Sequence, residues 1–288
     1  MSWDTHPSDM GILHRPMSKY IWSDQDLAKL KQLILERDKI VIFPHTGPDG
    51  DALGSTLAWA GLLRSAHPGA SVHVISPDPI ESYLAWLPAL DELVIFPLEE
   101  ERSLQLIAEA DLIFHLDHNQ ISRLRYPRLV EAATSAQAPR VLIDHHLYPE
   151  AGFDLTFSYA DASATSELIH ALALALGWRS AITPDLATLL LTGIITDTGR
   201  FMYSLLSPEL FITTSDLLAL GADYPHVIDR LSYHNPEVQI RLQGYVLDQK
   251  LELYPELRAA CITLTQEELR RFGASKGDTE GLVNIPLT

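Results

Sequence analysis

Cysteine is almost absent from this 288-residue chain, with Cys261 standing alone. One thiol cannot close an intramolecular bridge, so a disulfide framework is excluded and a reducing, cytoplasmic setting fits. Cys261 itself reads as a small buried hydrophobe. Basic residues are also scarce: 21 lysines and arginines against 38 acids leave a net charge of −17. That balance argues against a broad cationic surface for long nucleic acid, so any nucleic-acid substrate should be short and locally held. Long apolar runs are missing too. The most continuous stretch, residues 186–195, falls far short of the roughly 20 residues that span a bilayer, and a soluble protein without membrane contact is expected. Residues 1–19 include Asp4, Asp9, His14 and Arg15 with no apolar core, so they read as an extension rather than a signal peptide.

The remaining pattern alternates. Short apolar runs at 39–43, 71–76, 93–96, 111–116 and 140–143 read as strands. Helical spacing follows Ser23, and recurs over 52–64, 99–110, 129–138 and 168–176. Thr183-Pro184 opens another helix in a cap and first-turn arrangement. Strands and helices in this order imply an α/β fold with a parallel sheet. Beyond Phe201 the pattern changes to helices over 208–222, 224–232 and 236–250, then a strand pattern and a Thr265-Gln266-Glu267-Glu268 cap. The expected organisation is a catalytic domain over 20–222, a helical connector over 223–250 and a small α+β piece over 251–288.

The most informative stretch is Ile-Val-Ile-Phe-Pro-His-Thr-Gly-Pro-Asp-Gly-Asp-Ala-Leu at 40–53. A strand breaks at Pro44 and presents His45, Asp49 and Asp51 just before a helix, at the edge of a parallel sheet where ligands bind. An Asx turn alone would account for Asp49-Gly50. Two further strands end in the same way, at Leu116-Asp117-His118-Asn119 and at Ile143-Asp144-His145-His146, and the later helix ends at Thr196-Asp197-Thr198-Gly199. Five carboxylates (Asp49, Asp51, Asp117, Asp144 and Asp197) converging on one cleft would repel each other unless cations were present. Two divalent ions sharing a carboxylate, about 3.5–4 Å apart, form the recurrent phosphate-ester-hydrolysing centre.

These four motifs, with Gly47-Pro48-Asp49-Gly50-Asp51 first and Thr192-Gly193-Ile194-Ile195-Thr196-Asp197 last, resemble the DHH phosphoesterase family. Within it they most resemble the bacterial oligoribonucleases that degrade very short RNA and dephosphorylate 3′-phosphoadenosine 5′-phosphate. The resemblance implies one metal held by His45, Asp49 and Asp117, a second held by Asp51, Asp117, His145 and Asp197, and Asp117 as the bridge. It implies that Asp144 orients His145, and that His146 faces the phosphate as a donor or acid. Two divalent ions are implied, Mn2+ ahead of Mg2+ or Co2+, because oxygen and imidazole donors favour an octahedral ion. Attack would come from a metal-activated water, with no protein nucleophile.

His118, Asn119, Arg123 and Arg200 are further candidates for substrate contact, each with a bland alternative as a loop bystander or a surface ion pair. Ser163, Thr165 and Ser166 read as helix caps. His67, His73, His115, His170, His226 and His234 read as structural or exposed, and Trp59, Trp86 and Trp178 as core. The chain departs from the family in lacking the Gly-Gly-Gly-His segment of its C-terminal domain, so 251–288 reads as a partial substrate-binding domain. The expected partners are short RNA oligonucleotides or a nucleoside bisphosphate, and a homodimer is left open. Two other readings stand beside this one: a pyrophosphatase or cyclic-dinucleotide phosphodiesterase of the same family, and a non-catalytic nucleotide-binding module.

Overall fold

A computed structural model describes residues 19–20, 22–202, 206–232, 236–275, 277–279 and 281–287. Most of the N-terminal extension and His234 lie outside them. The first structural unit takes in residues up to 79 and 87–224. Its centre is a parallel six-stranded sheet of β1 (Lys39–Phe43), β2 (Ser71–Ser76), β3 (Leu93–Ile95), β4 (Leu112–Leu116), β5 (Arg140–Asp144) and β6 (Leu155–Ser158). The strand order is β3-β2-β1-β4-β5-β6, so the direction of winding reverses between β1 and β4. Register is parallel throughout, with Ile42 beside Phe114 and Phe114 beside Val141. A crevice opens at the carboxyl ends of strands where such an order reverses.

Alternation along the strands supplies two apolar faces, as a doubly covered parallel sheet requires. Val41, Phe43 and Ile113 pack with Ile107 of α3 (Glu100–Glu109) and Leu129 of α4 (Pro127–Ser135). On the opposite face Phe114 meets Trp59 of α2 (Gly50–Ala66) edge-on, with ring centroids 5.6 Å apart. That face also carries α5 (Thr165–Ala175) and α6 (Pro184–Asp197), while α1 (Asp24–Leu35) precedes the sheet and α7 (Pro208–Ala219) follows α6. Helices α2 and α6 approach closely because Gly54 has no side chain: a Cβ there would lie 2.4 Å from the carbonyl oxygen of Leu189. This contact brings Asp51 near the start of α2 toward Asp197 at the end of α6.

The expected parallel α/β architecture is present, and the structure adds β6, which the sequence reading left out. Leu155 and Phe157 point inward while Thr156 is exposed, a two-residue alternation too short to stand out as a period. The second unit, residues 80–86 and 225–288, joins most of the connector to the C-terminal piece instead of separating them. It holds most of α8 (Tyr224–Ser232), α9 (Pro236–Tyr245), an antiparallel pair β7 (Leu251–Tyr254) and β8 (Ala259–Ile262), and α10 (Gln266–Phe272). Leu242 and Val246 from the connector pack with Leu282, Ile262, Leu264 and Phe272, so the two segments share one small core. Thr265 and Glu268 form the expected reciprocal cap of α10.

Two expectations about burial do not hold. Cys261 is exposed, because it sits on a two-stranded sheet whose described residues are nearly all solvent-facing. Of the three tryptophans read as core, Trp59 is fully buried, whereas Trp86 and Trp178 are only half-buried.

Candidate metal centre

The ends of β1, β4, β5 and α6 deliver His45, Asp117, His145 and Asp197 to one cleft. Three groups have potential ligand atoms within 4.8 Å of one another: His45 with Asp49 and Asp117, Asp51 with His145 and Asp197, and Asp117 with His145 and His146. Asp117 carries φ +61°, a left-handed conformation that Asp tolerates better than most residues, and this turns the chain off β4. Nε2 of His45 lies 3.4 Å from Oδ2 of Asp117, and Nε2 of His145 lies 3.4 Å from Oδ1. The two imidazoles therefore approach opposite oxygens of one carboxylate. His145 also reaches Oδ2 of Asp197 at 3.1 Å, and His45 comes within 3.8 Å of Oδ2 of Asp49.

Local bonds fix how each donor is presented. Nδ1 of His45 is 2.8 Å from the carbonyl oxygen of Thr46, and Nδ1 of His145 is 3.3 Å from that of Ala162. A carbonyl only accepts, so both rings carry the proton on Nδ1 and leave Nε2 for the cleft. Asp49 serves twice. Its Oδ1 accepts the Asp51 and Ala52 N–H groups at 3.0 Å, capping α2, while Oδ2 faces His45. The turn reading and the ligand reading of Asp49 thus describe different oxygens of the same side chain.

Charge is concentrated deep in the cleft. Asp51 has no exposed surface and Asp117 only 2%, against 46% for the Asp49 side chain and 32% for that of His146 at the open side. Burial opposes charge on His45 and His145, yet bonds to the neighbouring carboxylates prevail and lift them to about 10 and about 12. Burial pushes Asp117 upward, but hydrogen bonds from His145 and His45 pull it well below the usual carboxylate range. Asp51 moves the other way, well above that range, through burial and then the charges of Asp117 and Asp197. Burial also raises Asp197, to about 6 despite its bond to His145. Buried carboxylates around two preoriented imidazole nitrogens are a donor set that suits hard or borderline divalent ions.

Several candidates stand elsewhere. Asp144 does not orient His145; its Oδ1 takes Nδ1 of His146 at 2.8 Å and its Oδ2 takes the His146 backbone N–H at 3.1 Å. The reason is reach, since the carboxylate folds over the chain two residues ahead, while the His145 ring points toward Ala162. His118 has no exposed surface, and its ring is occupied by His115 at 3.0 Å and the Leu116 carbonyl at 2.8 Å, so it cannot meet a substrate in this conformation. Asn119 clamps the loop after His146, donating to the carbonyls of Leu147 at 2.7 Å and Tyr148 at 3.4 Å. Arg123 contributes its carbonyl, which accepts the Thr46 N–H at 2.9 Å, and its side chain is half-buried. Arg200 is exposed three residues after Asp197, with φ +61°.

Two contributors were not legible as such. Thr165, read as a cap, donates its hydroxyl to Oδ1 of Asp117 at 3.0 Å and its N–H to Oδ2 of Asp51 at 2.6 Å. Asp78, just beyond β2, accepts from the Thr46 hydroxyl, from the Gly47 N–H at 2.7 Å and from the Tyr126 hydroxyl at 3.1 Å, pinning the loop that carries His45. A Pro-Asp-Pro turn offered no signal beyond turn chemistry.

Residues 39–194 match the N-terminal domain of the DHH family. The chain belongs to the DHH family. The bifunctional oligoribonuclease and PAP phosphatase NrnA of Mycoplasma pneumoniae is 31% identical over 232 residues, covering 80% of this chain and 67% of that one. The probable bifunctional oligoribonuclease and PAP phosphatase NrnA of Streptococcus mutans is 29% identical over 260 residues, covering 90% and 76%. Among solved structures, an exopolyphosphatase-related protein from Bacteroides fragilis superposes with a TM-score of 0.86 at 35% identity, covering 92% of this chain and 77% of that chain. The DHH motif itself is Asp144-His145-His146.

Proposed function

We propose that this chain is a manganese-dependent phosphoesterase that hydrolyses short oligoribonucleotides, releasing mononucleotides, and removes phosphate from 3′-phosphoadenosine 5′-phosphate. The observation that carries the reading is the approach of His45 and His145, each with Nδ1 on a backbone carbonyl, to opposite oxygens of Asp117. Relatives named as oligoribonuclease and PAP phosphatase over most of the chain support the substrate class.

His45, Asp49 and Asp117 would hold one divalent cation, and Asp51, Asp117, His145 and Asp197 a second. Cations so bound would supply positive charge that offsets the carboxylates and Lewis acidity that lowers the pKa of water toward neutrality. The protein's part is placement. Asp117 spans both positions, and Asp49 and Asp51 add one carboxylate to each. His146, with Nδ1 donating to Asp144, would in its imidazolium form give the Nε2 proton to the leaving oxygen and return to the neutral ring. Neither helix start is free to bind phosphate, because Asp49 takes the first N–H groups of α2 and Asp51 takes those of α5. Negative charge on the substrate is therefore met by the cations and His146, with Arg123 and Arg200 as candidate contacts at the rim.

No helix among the described residues is long and apolar enough to cross a membrane. We place the enzyme in the cytoplasm on the strength of its single cysteine. The reading is tested by incubating the chain with a 5′-phosphorylated diribonucleotide, the nucleoside bisphosphate and, given the exopolyphosphatase-related neighbour, pyrophosphate and polyphosphate. Mn2+-dependent release of mononucleotide or phosphate from the first two is expected. Turnover confined to the phosphoanhydrides would move the assignment to the pyrophosphatase branch.

A further inference from the structure

Thr165 begins α5 and touches both halves of the cluster at once. Its hydroxyl donates to Oδ1 of Asp117 at 3.0 Å, and its backbone N–H donates to Oδ2 of Asp51 at 2.6 Å. The following N–H, of Ser166, donates to Oδ1 of Asp51 at 2.9 Å. Asp117 stands in the group with His45 and Asp49, and Asp51 in the group with His145 and Asp197. Thr165 is thus a single residue linking the carboxylate shared by the cluster to the most buried carboxylate of its second half. It has no exposed surface, so no water competes for either bond.

We propose that Thr165 is a positioning residue that couples the two cation positions, holding Asp117 and Asp51 in the rotamers from which both ions are bound. The inference rests on the two-cation reading and deepens it. A carboxylate turns easily about its last torsion, which has broad wells. Each carboxylate oxygen also has two lone pairs, so a donor on one leaves the other directed at a cation. At Asp51 the two donors are backbone groups that survive substitution of the side chains. At Asp117 the two imidazoles would turn to the cations, and the donor that stays on the carboxylate is the Thr165 hydroxyl, which a single substitution removes.

The surrounding packing leaves this junction little freedom. Helix α6 presses on it at Gly193, where a Cβ would lie 2.1 Å from Oγ of Ser166 and 2.5 Å from Oδ1 of Asp51. The absence of a side chain at 193 is what allows α5, Asp51 and α6 to meet. With α5 held in this way, the Thr165 hydroxyl has a fixed origin, and its bond to Asp117 sets the carboxylate and not the reverse. Partners of metal ligands at one remove commonly contribute about 10–100-fold to metal affinity.

The test is calorimetric titration of Mn2+ into the metal-free chain and its variants, with thermal melts of the metal-free forms alongside. Thr165→Val keeps the shape and loses the hydroxyl, Thr165→Ala loses it at smaller volume, and Thr165→Ser keeps it. The expected result is two ions bound by the parent chain, with the weaker step loosened on the order of tenfold in the Val and Ala variants and restored in the Ser variant. Unchanged affinities in Thr165→Val and Thr165→Ala would overturn the proposal while leaving the two-cation reading standing. Failure of the parent chain itself to bind Mn2+ would overturn that reading, and this inference with it.

Discussion

Oδ1 of Asp144 lies 2.8 Å from Nδ1 of His146, and Oδ2 of the same carboxylate accepts the His146 backbone N–H at 3.1 Å. Nδ1 of His146 is 3.9 Å from Oδ1 of Asp117, too long for a hydrogen bond, so Asp144 decides where this ring stands. That separates the third residue of the motif from the second. His145 turns its Nε2 to Asp117 and Asp197, whereas His146 turns its Nδ1 to Asp144.

His146→Ala is accordingly expected to leave both cations bound and to lower kcat by about 10²–10⁴-fold, the usual contribution of a general acid. Metal content and single-turnover rate, measured on the same sample, check this. Loss of a cation in that variant would reassign His146 to the ligand set.

Protons should leave when cations enter. His45 and His145 are lifted to about 10 and about 12, so in the metal-free chain both imidazoles are charged at pH 7.5. Ligation needs them neutral, so binding releases about two protons from the imidazoles, and affinity rises as pH rises toward those values. Asp51, pushed well above the usual carboxylate range by burial, and Asp197, raised to about 6, add to the release where they hold a proton. Titration in buffers of different ionisation enthalpy counts the protons. Uptake, or affinity falling as pH rises from 6 to 8, would contradict the assignment.

Gly54→Ala tests the packing that joins Asp51 to Asp197. Alanine is intrinsically better in a helix by about 1 kcal/mol, but its Cβ would lie 2.4 Å from a backbone oxygen that cannot move aside as a side chain can. Overpacking of this kind costs about 1–3 kcal/mol or more, and against an unyielding backbone oxygen it exceeds the helix gain, so Tm should fall by roughly 2–4 °C for each kcal/mol of net cost. A rise in Tm would mean that the helices separate freely.

Asp78→Ala removes the acceptor for the Thr46 hydroxyl, the Gly47 N–H and the Tyr126 hydroxyl. Mn2+ affinity at the His45 position is expected to weaken about tenfold while the β-sheet stays intact by circular dichroism. An unchanged affinity would show that Pro44 and the Thr46–Arg123 backbone bond suffice to hold the loop.

The parallel sheet and the residues gathered at its edge were readable because each depends on local pattern: apolar strands of three to six residues followed by polar turn residues. What escaped the sequence depends on tertiary approach. Thr165 reads as a cap because a threonine before an apolar helix usually is one, and only the meeting of α5 with β4 and α2 gives its hydroxyl a carboxylate 48 residues away. Asp144 precedes two histidines, and spacing does not say which of them it holds. His118 follows Asp117 directly, but the left-handed backbone at Asp117 leaves the His118 ring in the core against His115. Cys261 looked buried by residue type, whereas its sheet has only two strands and little to cover it.

The most direct test of the account is the Mn2+ content of Asp117→Asn beside that of the parent chain, measured with hydrolysis of a 5′-phosphorylated diribonucleotide. If Asp117 bridges, the parent holds two ions and turns the dinucleotide over, and the variant loses two-metal occupancy and turnover together. Full activity in Asp117→Asn, or a parent chain that binds two ions and hydrolyses neither dinucleotide nor bisphosphate, would contradict it.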